Sequence, residues 1–205
     1  MKKYRVNDVF YSLQGEGRNT GRAAVFVRFA GCNLRCSFCD TEFSSFEEMT
    51  GEEIVARIAA FPARFVVLTG GEPTLQVDED FVDQLHVAGF EVAIETNGTR
   101  PVARNIDWVT VSPKVKPSET AEDIWQGARQ PDEIKVIFDG KTDPTSLLKN
   151  TELSMLNSEP LFYLQPCDTG DAEQNKAITE ACVEYIKAHP KWRLSLQTHK
   201  LVGFP

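Results

Sequence analysis

Seven short runs rich in β-branched and aromatic residues recur along this chain, each ending in a polar or glycine-rich turn. They are AVFVRFAG (24–31), RFVVLTGG (64–71), EVAIETNG (91–98), DWVTVSPK (107–114), DEIKVIFDG (132–140), LFYLQPCD (161–168) and WRLSLQTH (192–199). Each is apolar on both alternating faces near its middle, the pattern of a strand covered on both sides. Helical patterns separate several of them. Thr50-Gly-Glu-Glu53 reads as a capping box that opens a helix with Ile54, Val55, Ile58 and Ala59 on one side. Phe81, Val82 and Leu85 fall at helical spacing within 78–88. Ile178, Cys182, Tyr185 and Ile186 do so within 172–189, where Pro190 stops the last helix. Strand and helix in alternation predict an α/β fold with a parallel sheet, open or barrel-like. The link between EVAIETNG and DWVTVSPK is too short for a full crossover helix, so the helical layer is expected to be incomplete.

The unusual residues fall at the ends of these runs. Cys32, Gly70-Gly71-Glu72, Glu95-Thr-Asn97, Ser112-Pro-Lys114, Gln165-Pro166 and Gln197-Thr-His199 each follow a strand pattern. Carboxyl ends of parallel strands share one face, and that face hosts active sites in such folds. Six polar turns are therefore expected to meet at one mouth.

A length of 205 residues favours a single domain. Hydrophobic and charged fractions of 41% and 25% are those of an ordinary folded protein. A formal charge of -8 argues against nucleic acid as a partner, which would want a basic face. No apolar run approaches a membrane span, and MKKYRVND contains no apolar leader segment, so a cytoplasmic protein without a membrane partner is expected. In that reducing compartment, clustered cysteines bind metal or do redox work more often than they form bridges, and five cysteines do not pair evenly.

Three of the five, Cys32, Cys36 and Cys39, stand at C-x3-C-x2-C spacing, short enough for one loop to wrap a metal centre. A structural zinc site closes its tetrahedron with four ligands, and no histidine lies in the loop. An iron–sulfur cube takes one thiolate per iron, so three thiolates leave one iron open to a small molecule. A zinc module completed by a distant histidine, and free thiols, are the competing readings. Cys167 and Cys182 read as packed thiols, and His86 and His189 as solvent-facing or helix-terminal.

The loop Cys32-x3-Cys36-x-Phe38-Cys39 directly after a strand, followed by Thr69-Gly-Gly-Glu-Pro73 at the end of the next, resembles the paired signatures of the radical S-adenosylmethionine (SAM) superfamily. Glycines in the second turn let backbone approach a ligand closely. The resemblance implies a partial (β/α) barrel with about six core parallel strands. It implies a [4Fe–4S] cluster on Cys32, Cys36 and Cys39, SAM as cofactor, Phe38 beside the adenine, and the Gly71-Glu72 turn against the methionine amino group. A glycyl-radical activating enzyme shares the cysteine loop, and a zinc-binding module is the non-enzymatic alternative.

Further segments narrow the resemblance. Val9-Phe-Tyr-Ser-Leu-Gln-Gly-Glu-Gly17, Arg28-Phe-Ala-Gly-Cys32, Cys39-Asp-Thr41, Glu95-Thr-Asn97-Gly, Ser112-Pro-Lys114 and Gln197-Thr-His-Lys-Leu-Val-Gly-Phe-Pro205, in that order, resemble the 7-carboxy-7-deazaguanine synthases. This implies radical ring contraction of 6-carboxy-5,6,7,8-tetrahydropterin to 7-carboxy-7-deazaguanine with loss of ammonia. It implies substrate contacts from Leu13, Gln14, Gly15, Glu16, Arg28, Thr69, His199 and the terminal carboxylate of Pro205. It also implies cofactor contacts from Phe38, Cys39, Asp40, Thr41, Gly71, Glu72, Ser112, Pro113, Lys114 and Gln165, with Thr41 ligating Mg²⁺ beside the substrate carboxylate. A flavodoxin or ferredoxin as electron donor and a homodimer follow from the family alone. Residues 1–205 are expected to form one domain, with short terminal extensions covering the barrel mouth.

Overall fold

A computed structural model of the chain describes residues 2–36, 39, 42, 44–114, 131–148 and 159–204. All seven predicted runs are strands: β2 (Ala23–Phe29), β4 (Phe65–Gly70), β5 (Glu91–Thr96), β6 (Trp108–Val111), β7 (Glu133–Phe138), β8 (Leu161–Pro166) and β9 (Trp192–Leu194). They hydrogen-bond in that order, every neighbouring pair parallel. Two further strands, β1 (Lys3–Leu13) and β3 (Glu47–Thr50), extend the edge antiparallel, giving the order β3-β1-β2-β4-β5-β6-β7-β8-β9. The sequence pattern did not assign these two. β1 alternates buried and exposed positions with a register irregularity between Val6 and Asp8, so its apolar signal is diluted.

Three helices cover the outer face where they were expected. α1 (Gly51–Ala59) begins in the predicted capping box: Thr50 Oγ1 accepts from the Glu53 amide, and the Glu53 carboxylate accepts from the Thr50 amide. α2 (Glu79–Val87) is capped by Asp78, which accepts from the Phe81 amide. α3 (Ala172–Ala188) ends at His189, before Pro190. It is not the last helix, because a short α4 (Thr198–Val202) follows β9. No helix lies between β5 and β6, which leaves the helical layer incomplete.

Period-two alternation divides each strand between two layers. Val66, Leu68, Val92 and Ile94 face outward, against Ile54 and Ile58 of α1 and Phe81, Val82 and Leu85 of α2. Ile134, Val136, Phe162 and Leu164 meet Cys182 and Trp192 in a second outer cluster. Inward-facing Ala24, Phe26, Phe65, Val67 and Ala93 form a smaller apolar floor. The inward positions of β7 and β8 carry Glu133, Lys135 and Gln165 instead, all buried. The interior of the curved sheet is thus apolar on one side and charged on the other. Among the described residues, no helix is long and apolar enough to cross a membrane.

The β1–β2 connection reaches the segment after β9: the Thr198 amide and hydroxyl both donate to the Gly15 carbonyl, at 3.1 and 2.9 Å. The first and last parts of the parallel sheet are joined there, which closes a chamber inside the open barrel.

Candidate active site

A cavity of about 700 Å³ opens at the carboxyl ends of the strands, a size that suits a cofactor and a small substrate together. The six predicted turns meet in it: Cys32 after β2, Gly70 and Gly71 after β4, Glu95 to Asn97 after β5, Ser112 and Lys114 after β6, Gln165 and Pro166 after β8, and Gln197 and His199 after β9. Leu13 to Glu16 from the β1–β2 connection line the same space.

The cysteine loop and the glycine turn are locked together through backbone. The Gly71 amide donates to the Phe29 carbonyl (3.0 Å) and the Glu72 amide to the Gly31 carbonyl (2.9 Å). A Cβ on Gly71 would lie 2.0 Å from the Gly31 carbonyl oxygen, so only glycine permits this approach. Glu72 is fully buried and uses its carboxylate to tie turns together, accepting from the Thr74 amide and hydroxyl, the Thr96 hydroxyl and the Asn97 amide. Asn97 donates onward to Asn33 (3.0 Å), anchoring the cysteine loop to β5 as well.

Cys32, Cys36 and Cys39 all line the cavity. Burial pushes the Cys32 and Cys36 thiols up; Cys32 is raised further by Glu72 and Cys39, and Cys36 by Cys39 and Cys32. Among the described residues no three His, Cys, Asp or Glu side chains are gathered tightly enough to hold one ion. The donor set nonetheless fits an iron–sulfur centre: three soft sulfur ligands on one loop, facing a shared chamber, with no fourth ligand in that loop. Such ligand sets close around a metal that displaces the thiol protons to solvent.

The opposite side is polar and charged. Lys135 is buried between the carboxylates of Glu16 and Glu95. Burial alone would raise the Glu16 carboxyl, but Lys135 and Gln197 hold it down at about 2. Burial lowers the Lys114 ammonium to about 8, with Lys135 adding to the effect, and Lys114 donates to the Ser112 hydroxyl at 2.6 Å. Arg28 lies over the Phe10 ring at 4.9 Å and has no carboxylate partner among the described residues.

The radical SAM superfamily model matches residues 26–115, the span from β2 through the turn after β6. The crystal structure of QueE from Escherichia coli superposes with a TM-score of 0.78 at 31% identity, over 95% of this chain and 93% of that one. The 7-carboxy-7-deazaguanine synthase of Burkholderia multivorans is 42% identical over 98% of this chain and 99% of its own length. That of Bacteroides thetaiotaomicron is 48% identical over 97% of both chains. This chain belongs to the 7-carboxy-7-deazaguanine synthase family. Membership in the radical SAM superfamily carries a [4Fe–4S] cluster and SAM with it, and the open, mostly parallel barrel agrees.

Of the positions expected to serve a 7-carboxy-7-deazaguanine synthase, Leu13, Gln14, Gly15, Glu16, Arg28, Thr69, Gly71, Ser112, Lys114, Gln165 and His199 share the cavity with the three cysteines. Glu72 and Pro113 lie just behind it, Glu72 as the tie between turns and Pro113 as a buried spacer. Phe38, Asp40, Thr41 and Pro205 lie outside the described residues. Cys167 departs from expectation: it lines the cavity, whereas Cys182 is packed as expected and burial pushes its thiol up to about 12. His86 pairs with Asp107 at 2.9 Å and His189 ends α3, both away from the cavity. Sequence reasoning missed Lys135. The available signal was a lone lysine in the apolar run EIKVIF, where a covered strand has no reason to carry a charge.

Proposed function

We propose that this chain is a 7-carboxy-7-deazaguanine synthase that converts 6-carboxy-5,6,7,8-tetrahydropterin to 7-carboxy-7-deazaguanine and ammonia. The observation that carries this reading is 48% identity, end to end, to a synthase of that name, with both signature loops on one cavity. The net change is loss of ammonia, so the reaction needs no stoichiometric oxidant. When bound, the cluster and SAM supply the radical that starts the rearrangement. Cys32, Cys36 and Cys39 hold the cluster, and the Gly71-Glu72 turn offers carbonyls to the ammonium of SAM. Ser112, Lys114 and Gln165 complete the cofactor's surroundings, as do Phe38, Asp40 and Pro113.

The rest of the chamber recognises the pterin. Arg28, which has no carboxylate partner among the described residues, receives the carboxylate. Gln14 and Glu16 meet the amide and amino edge of the ring with complementary acceptors and donors. Leu13, Gly15, Thr69 and His199 line the ring, and the carboxylate of Pro205 closes over it. Thr41 supplies one oxygen to a Mg²⁺ ion that otherwise takes water and substrate oxygens, in keeping with that ion's hard, octahedral habit. The whole of residues 1–205 acts as one domain, in the cytoplasm, as a homodimer reduced by a flavodoxin or ferredoxin. Superfamily likeness supports the last two points.

Anaerobic reconstitution followed by incubation with SAM, dithionite and the tetrahydropterin tests the reading. A product lighter than the substrate by one ammonia supports it. SAM cleavage that leaves the pterin unchanged refutes the substrate assignment.

A further inference from the structure

The charges around buried Lys135 form a closed circuit. The Lys135 ammonium donates to Glu16 and, at 3.3 Å, to Glu95. The Glu16 amide donates to the Gln14 side-chain oxygen at 3.1 Å. The Gln14 side-chain amide donates to Glu95 at 2.8 Å, which completes the ring. The second oxygen of Glu16 accepts from Gln165 (3.3 Å) and Gln197 (3.0 Å). Two carboxylates and one ammonium share this ring, and Lys135 is its only cation. Its side chain is 4% exposed, so water does not compensate for it.

The circuit fixes more than charge. It sets which way the Gln14 amide faces, because its nitrogen is committed to Glu95 and its oxygen to the Glu16 amide. It also seats the 14–17 loop against the barrel wall. Gly15 packs where a Cβ would lie 2.3 Å from His199 Nδ1, and Gly17, at φ 64°, where one would lie 2.0 Å from Glu133 Oε1. The loop therefore takes its position from its own two glycines together with β5, β7 and the segment after β9.

We propose that Lys135 is a positioning residue for substrate recognition, holding the Glu16 carboxylate in place and the Gln14 amide oriented so that the ring-binding edge is formed before the pterin arrives. The inference rests on the pterin reading above. It assigns the specificity of that edge to a residue buried in β7. The charged and titratable groups facing Glu16 are Lys135 from β7, Glu95 from β5, Lys114 after β6, Glu133 at the start of β7, and His199 from the C-terminal segment.

The test is a cycle of Lys135→Met, Glu16→Gln and the double variant, each reconstituted as holoenzyme, with the visible cluster absorbance reporting folding. Lys135→Met should raise the KM for the tetrahydropterin about tenfold or more with a much smaller change in kcat. The double variant should be little worse than Glu16→Gln alone, because Lys135 acts on the pterin chiefly through Glu16. In Lys135→Met, KM should also rise more steeply as pH falls from 8 to 6 than it does in wild type or in Glu16→Gln, where Glu133 and Lys114 are the remaining groups that titrate there. A merely structural lysine would not produce it. If Lys135→Met loses the cluster, Lys135→Met/Glu95→Gln restores the wild-type net charge of the ring, and the same KM and pH signature is read there. Additive effects, or a wild-type KM and pH profile in the variant, overturn the inference while leaving the synthase reading intact. Failure of wild type to turn over the pterin overturns both.

Discussion

Gly71 has no room for a methyl group: its backbone is pressed against the Gly31 carbonyl, one residue before the first cysteine. Gly71→Ala should therefore push the glycine turn off the cysteine loop and lower iron bound per chain several-fold, while far-ultraviolet circular dichroism stays unchanged. Full iron content would show that the contact does not matter to the loop. Arg28 carries a second residue-scale expectation. Because Arg28 lines the cavity with no carboxylate on it among the described residues, Arg28→Met should raise the KM for the pterin about tenfold or more, the value of a lost charge-assisted hydrogen bond. An unchanged KM would place the substrate carboxylate elsewhere. Glu133 bears on stability instead. Burial raises its carboxyl to about 7 from 4.5, so the folded protein holds a proton that the unfolded chain has released. That contribution is complete below about pH 4.5 and is lost as pH rises through 7. Glu133→Gln should be more stable than wild type at pH 8 by on the order of 1–3 kcal/mol and equal to it near pH 4.5, as read by urea unfolding. Parallel pH profiles for the two proteins would contradict this.

At the scale of elements, α2 does more than cover the sheet. Its Phe81 is fully buried, touching Tyr4 of β1 at 4.7 Å and Phe29 of β2 at 6.2 Å between ring centres. Phe81→Ala should cost about 3–5 kcal/mol in denaturant unfolding, a large share of what a domain of this size has. A loss below 1 kcal/mol would mean that the contact is not central to the core. The elements legible in the sequence were those with strong local signals. β4 opens on a continuous apolar run, β5 and β7 carry short apolar runs rich in β-branched residues, and α1 and α2 carry capping residues and helical spacing. β1 and β3 were not legible, because an antiparallel edge pair faces solvent on one side and β3 is Glu-Glu-Met-Thr, with only Met49 buried. α4 is five residues long with no side-chain cap, too short to leave a pattern. The site divided in the same way. Cysteine and glycine turns announce themselves by spacing, whereas the circuit around Lys135 joins residues 14 to 197 and exists only once the strands are side by side.

Across the whole molecule, two demands share one chamber. One wall presents three sulfur ligands beside a glycine turn, and the other presents a preset edge of charges and amides. The β1–β2 connection and the segment after β9 close the space between them. Arrangement on facing walls of a common cavity is what places a reactive species beside its substrate. The most direct measurement is an anaerobic crystal structure of the reconstituted protein with SAM and 6-carboxy-5,6,7,8-tetrahydropterin bound. The account predicts a cluster on Cys32, Cys36 and Cys39 alone, SAM on the remaining iron, and the pterin between Arg28 and the Gln14–Glu16 edge. A metal with four protein ligands, or a pterin bound outside this cavity, would contradict it.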